Sequence, residues 1–71
     1  MVEKWTGRLI GKMHNNGVSN ADLAAELGIT KAYVSMILNG ARKPPDAKSR
    51  LEAAVDAIIA RRKVEAEEKQ D

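Results

Sequence analysis

Lys31, Arg42 and Lys43 are the side chains best suited to hold a partner: long cations on either side of a short apolar segment, able to donate hydrogen bonds to an anion. Catalysis has little to work with. Asp22 and Glu26 stand one helical turn apart, the spacing of an acid-base pair, but no nucleophile, second histidine or metal-ligand cluster accompanies them, so they read as an exposed helix face. His14 is the single histidine. Near the end of a helix it reads as a polar cap favoured by the dipole, not as a base or ligand. With no cysteine, neither a disulfide nor a thiolate metal site is available. These residue types point to binding and not to turnover, and they call for no cofactor.

The elements that carry the cations must come from a chain of 71 residues, enough for one small domain with a thin core. Net charge is only +2, but it is unevenly spread. From Thr30 to Arg50, Lys31, Arg42, Lys43, Lys48 and Arg50 face Asp46 alone, a net +4, whereas from Glu65 to Asp71 four carboxylates face Lys69, a net −3. A basic middle suits an anionic partner, and the acidic end is better kept away from it.

Apolar spacing predicts an all-α fold, a small bundle of about four helices. The first runs from Val2 to about Asn16, with Trp5, Leu9 and Met13 on one face and Ile10 broadening it. Gly7 and Gly11 weaken that helix, and the Asn15-Asn16-Gly17 run ends it. Ser19 is placed to cap a second helix in a capping box with Asp22, and Thr30 to cap a third. Leu23 and Leu27 share one face of the second helix, Gly28 supplies the left-handed residue that ends it, and Ile29, Val34 and Ile37 continue the apolar pattern. Ala24 sits where a larger side chain would push the two helices apart. Asn39 and Gly40 close the third helix, and Pro44-Pro45 bar a helix between Ala41 and Pro45. From Asp46 onward, Ala47, Leu51, Ala54, Val55, Ile58 and Ile59 form the stripe of one long C-terminal helix. The expected division is one domain over 1–63 and a charged tail, a helical extension or a frayed end, over 64–71.

The string NADLAAELGITKAYVSMILNGARKPP, Asn20 to Pro45, resembles the DNA-binding core of the Cro and phage-repressor helix-turn-helix family, also called the XRE family. Tyr-Val-Ser followed by Asn-Gly-x-Arg-x-Pro carries the resemblance beyond generic helix-turn-helix spacing. It implies a lambda-repressor-like domain that inserts its third helix, about 30–39, into the major groove of double-stranded DNA. Carried over residue by residue, it puts Lys31, Ala32 and Met36 at base-facing positions with Ser35 beside them. Asn20, Thr30, Tyr33, Asn39, Arg42 and Lys43 fall at phosphate-facing ones. Lys31 can donate to guanine O6 or N7, whereas Ala32 and Met36 offer only apolar contact, for instance to a thymine methyl. Glutamine or arginine is frequent at these positions in the family, so readout here leans partly on DNA shape.

The function expected is that of a small bacterial or phage transcriptional regulator acting as a homodimer, with Ile58, Ile59 and Arg62 as the dimer surface. The alternative keeps the fold but makes it a protein-interaction module with a host protein as partner, such as a phage-encoded inhibitor or an antitoxin. The expected location is cytoplasmic, on the nucleoid, or the host cytoplasm if phage-encoded. No apolar run approaches the roughly 20 residues of a membrane span, and Glu3, Lys4 and Arg8 interrupt any secretory leader.

Overall fold

Each helix begins and ends where side-chain chemistry can satisfy its unpaired backbone groups. The computed structural model describes residues 4–68, and among them there are four helices, α1 (Lys4–Asn15), α2 (Asn20–Leu27), α3 (Lys31–Leu38) and α4 (Ala47–Glu68), and no strand. The expected start of the first helix at Val2, and Lys69 and Asp71 of the acidic end, lie outside the described residues.

Beyond α1, Gly17 adopts a left-handed φ of 66°, which lets the Val18 N–H reach the Met13 carbonyl at 2.8 Å and the Gly17 N–H reach that of His14 at 3.3 Å. This double closure is a Schellman motif, and the apolar contact that accompanies such motifs is available in Met13 and Val18, both buried. Val18 was not among the expected core residues, although an apolar residue just after a helix-ending glycine is the sequence mark of the motif.

α2 starts on the expected capping box: Ser19 Oγ accepts from the Asp22 N–H at 3.1 Å while Asp22 Oδ2 accepts from the Ser19 N–H at 2.9 Å. It ends at Gly28, left-handed at φ 69°, and the Ile29 N–H closes onto the Ala24 carbonyl at 3.0 Å. Thr30 caps α3 by accepting from the Tyr33 N–H at 3.0 Å. The corner between α2 and α3 is therefore three residues long and closed at both ends.

The core lies where the two helices of that corner meet α1 and α4. Leu23, Val34, Leu51 and Val55 are the most enclosed large side chains, and each contributes about 1.5–3 kcal/mol by leaving water. Ala24 is buried, as its place between the two helices requires. Leu27 and Ile29 pack on the cluster half-buried, and Leu38 and Thr6, absent from the expected core, are buried. No buried side-chain nitrogen or oxygen among the described residues lacks a partner.

Several expectations need correction. Trp5 rests half-buried against the cluster and not inside it, and Ile10 is 45% exposed, so the inner face of α1 is narrower than its apolar residues suggest. Ile58 belongs to the core at 4% exposure, because it continues the Leu51–Val55 row one turn on. A residue already enclosed by its own chain cannot form a dimer surface, and Ile59 beside it is half-buried against the same cluster. The tail expected over 64–71 as a helical extension or a frayed end continues α4 as far as Glu68, with 60–67 exposed.

Candidate nucleic-acid interface

With Val34, Ile37 and Leu38 turned into the core, the remaining positions of α3 must face out, since successive residues step by about 100° around the axis. Lys31, Ala32, Ser35 and Met36 are all exposed, Met36 at 39%, and they form one outward face of two helical turns. Its chemistry is one ammonium, one hydroxyl and two apolar groups. Tyr33 is half-buried and lines a small hollow with Leu27, Ile29, Ile37, Pro44 and Leu51, so its ring packs beside the loop after α3.

That loop is tied to the face it follows. The Arg42 N–H donates to the Met36 carbonyl at 3.1 Å, and the Gly40 N–H donates to that of Ile37 at 3.2 Å. Gly40 is left-handed at φ 84°, a conformation that glycine adopts without strain. Asn39 Oδ1 accepts from the Ala41 N–H at 2.9 Å, which leaves its amide NH₂ as the donor facing out. These bonds put the Arg42 and Lys43 backbone directly beside the exposed face of α3, and both side chains are exposed. Sequence spacing alone did not bring in Lys48 or Trp5. Both border the same loop, where Trp5, Ile37, Arg42, Lys43, Pro44 and Lys48 surround a cavity of about 270 Å³.

Asn20 stands apart from this cluster. It opens α2 half-buried, beside Ile10, Met13, His14 and Val18, one residue after the Ser19 cap. Thr30 is exposed, and its hydroxyl, which accepts a hydrogen bond as the cap of α3, keeps its proton to donate outward.

The helix-turn-helix family matches residues 13–51, more than half of the chain. The chain belongs to the Cro and phage-repressor type of that family, the XRE family. No curated protein and no solved structure matches it. The match runs from the end of α1 to the second turn of α4 and so covers the capped corner, the outward face of α3 and the Arg42–Lys43 loop. XRE domains bind double-stranded DNA, and the exposed face and adjacent cations described above are what such binding requires.

The two carboxylates read as a solvated helix face have other partners in this XRE domain. Asp22 Oδ2 receives Arg62 Nη2 at 2.9 Å, and Glu26 pairs with Arg61. Bonding to the Ser19 N–H first, and then to Arg62, holds the Asp22 carboxyl below its ordinary value of 3.8. The Glu26 hydrogen bond likewise raises Arg61. Lys12 pairs with Asp56, so α4 is tied by charge to α1 and α2 alike. Arg62, expected on a dimer surface, turns its guanidinium onto groups of its own chain. Among the described residues no cluster of His, Cys, Asp or Glu could hold a metal ion, and no helix is long and apolar enough to cross a membrane.

Proposed function

We propose that this XRE domain is a sequence-preferring double-stranded DNA-binding protein, a small transcriptional regulator of bacterial or phage origin. Lys31, Ala32, Ser35 and Met36 meet base edges in the major groove, while Asn20, Thr30, Tyr33, Asn39, Arg42 and Lys43 meet phosphates. The observation that carries this reading is the hydrogen bond from the Arg42 N–H to the Met36 carbonyl, which joins the cationic loop to the exposed face of α3. With a single ammonium on that face, base readout is modest, and phosphate contacts supply most of the affinity. An eight-residue α3 is only about 12 Å long and touches few base pairs, so two copies on half-sites about one DNA turn apart provide the specificity.

Selection of duplexes from a random pool, with sedimentation of the protein alone and on the selected site, tests this. A palindromic motif bound by two copies is the expected result. Retention of no duplex above background would remove the reading and favour the protein-interaction alternative, which the exposed Ala32 and Met36 would then serve.

A further inference from the structure

Three hydrogen bonds from Arg62 on α4 reach the α1–α2 turn and the first turn of α2. Its Nη1 donates to the Gly17 carbonyl at 2.9 Å and the Asn16 carbonyl at 3.3 Å, and its Nη2 donates to Asp22 Oδ2 at 2.9 Å. That Asp22 oxygen is the one that receives the Ser19 N–H in the capping box. One planar fork on α4 therefore fixes both sides of the α1–α2 turn: the carbonyls left over by the Schellman closure, and the carboxylate that starts α2.

Between these two anchored points lies Asn20. The buried Leu23 and Ala24, one turn further on, hold the middle of α2 against the core. The electrostatics run the same way. Asp22 is two residues from Asn20, and an ionised carboxylate there repels a phosphate approaching the start of α2 unless a cation answers it.

We infer that Arg62 is a positioning residue for DNA binding: without touching DNA, it orients the first turn of α2 and neutralises Asp22 so that a phosphate can seat at Asn20. This rests on the DNA-binding reading above. It also gives the C-terminal half of α4, outside the 13–51 match, a part in recognition.

The test compares the full chain with Arg62→Met, Arg62→Lys and the double variant Arg62→Met with Asp22→Asn. Affinity for a duplex that the parent binds is measured across salt concentrations, well below each variant's melting temperature. Arg62→Met is expected to lose about fivefold or more in affinity, the usual scale of coupling between linked sites. Adding Asp22→Asn should restore part of that loss, because the repelling charge is gone. Arg62→Lys keeps the charge but cannot span the carbonyls and the carboxylate, and should fall between parent and Arg62→Met. In an amide spectrum, the shift of the Asn20 N–H on adding duplex should shrink in Arg62→Met and partly return in the double variant. A purely structural role predicts instead that the double variant binds no better than Arg62→Met, and that result would overturn the inference. So would parent-like affinity and salt dependence in folded Arg62→Met, with the DNA-binding reading left standing. If the parent itself binds no duplex, both fall together. Should Arg62→Met fail to fold, Arg62→Lys decides, and parent affinity with a parent-like Asn20 N–H shift in it overturns the inference.

Discussion

Lys31, Arg42 and Lys43 carry the same charge but should lose different things on truncation. Lys31 is the single cation on the outward face of α3, so Lys31→Ala should cut the affinity ratio between a selected site and random duplex, by about 1 kcal/mol or more in competition binding. Arg42 and Lys43 sit in the loop, and their joint change to alanine should weaken binding to every duplex alike. The salt slope should then fall by about 1–2, near 0.9 for each phosphate no longer neutralised. If the loop variant instead lost sequence preference and kept its salt slope, the assignment of bases and phosphates would be reversed. Asp22 gives a pH prediction at this same scale. Its carboxyl is held below 3.8 in the folded chain, so it favours the folded state above that value, and the benefit disappears as pH falls through the lowered folded value. Melting temperature measured from pH 6 downward should fall less steeply for Asp22→Asn than for the parent.

At the scale of elements, the glycines divide into two kinds. Gly28 is left-handed at φ 69° at the corner of the helix-turn-helix, and an alanine there is strained even though nothing lies within 4 Å of an added Cβ. Gly7 and Gly11 stand in the middle of α1, have no left-handed φ and would also meet nothing within 4 Å on gaining a Cβ. Gly7→Ala and Gly11→Ala should therefore each stabilise by up to about 1 kcal/mol in denaturant unfolding, whereas Gly28→Ala should destabilise. A loss of stability at Gly7 or Gly11 would mean that α1 does not persist as a regular helix. Glycines four residues apart can admit another helix at close range, but among the described residues no neighbour comes near enough to require them here.

For the whole molecule the core has little margin, since 71 residues support a stability of order 4–10 kcal/mol. Leu23→Ala, at a fully enclosed position on α2, should cost about 2–5 kcal/mol, a large share of that margin, and lower the melting temperature measured by circular dichroism. Ile58 belongs to the same core. Ile58→Ala should lower the melting temperature and leave the sedimentation behaviour of the remaining folded protein unchanged; weakened self-association at full stability would restore it to an interface. The molecule measures 46 × 23 × 17 Å, and α4 at about 33 Å supplies most of its length, so its last turns stand clear of the bundle.

Local signals made most of the fold legible. Ser19 with Asp22, Thr30, Gly17, Gly28 and Gly40 mark helix ends because each satisfies backbone groups within a few residues of itself, and that chemistry needs no tertiary partner. The inward positions of α3 followed from helical period, and the outward face at Lys31, Ala32, Ser35 and Met36 is simply what remained. Period could not say how wide each buried face would be. Ile10, Trp5, Ile58 and Ile59 all fit an apolar stripe, and only the packing of the four helices decided that Ile58 is enclosed and Ile10 is not. Nor could it pair charges far apart in the chain. Asp22 with Arg62 and Glu26 with Arg61 lie 40 and 35 residues apart, and each reads as solvated until packing brings α4 back across α2. The sequence by itself determined where the helices start, stop and turn, because those are contacts between near neighbours. Only the tertiary structure decided which charges hold the bundle together and which remain free for DNA, because that depends on where distant helices come to lie.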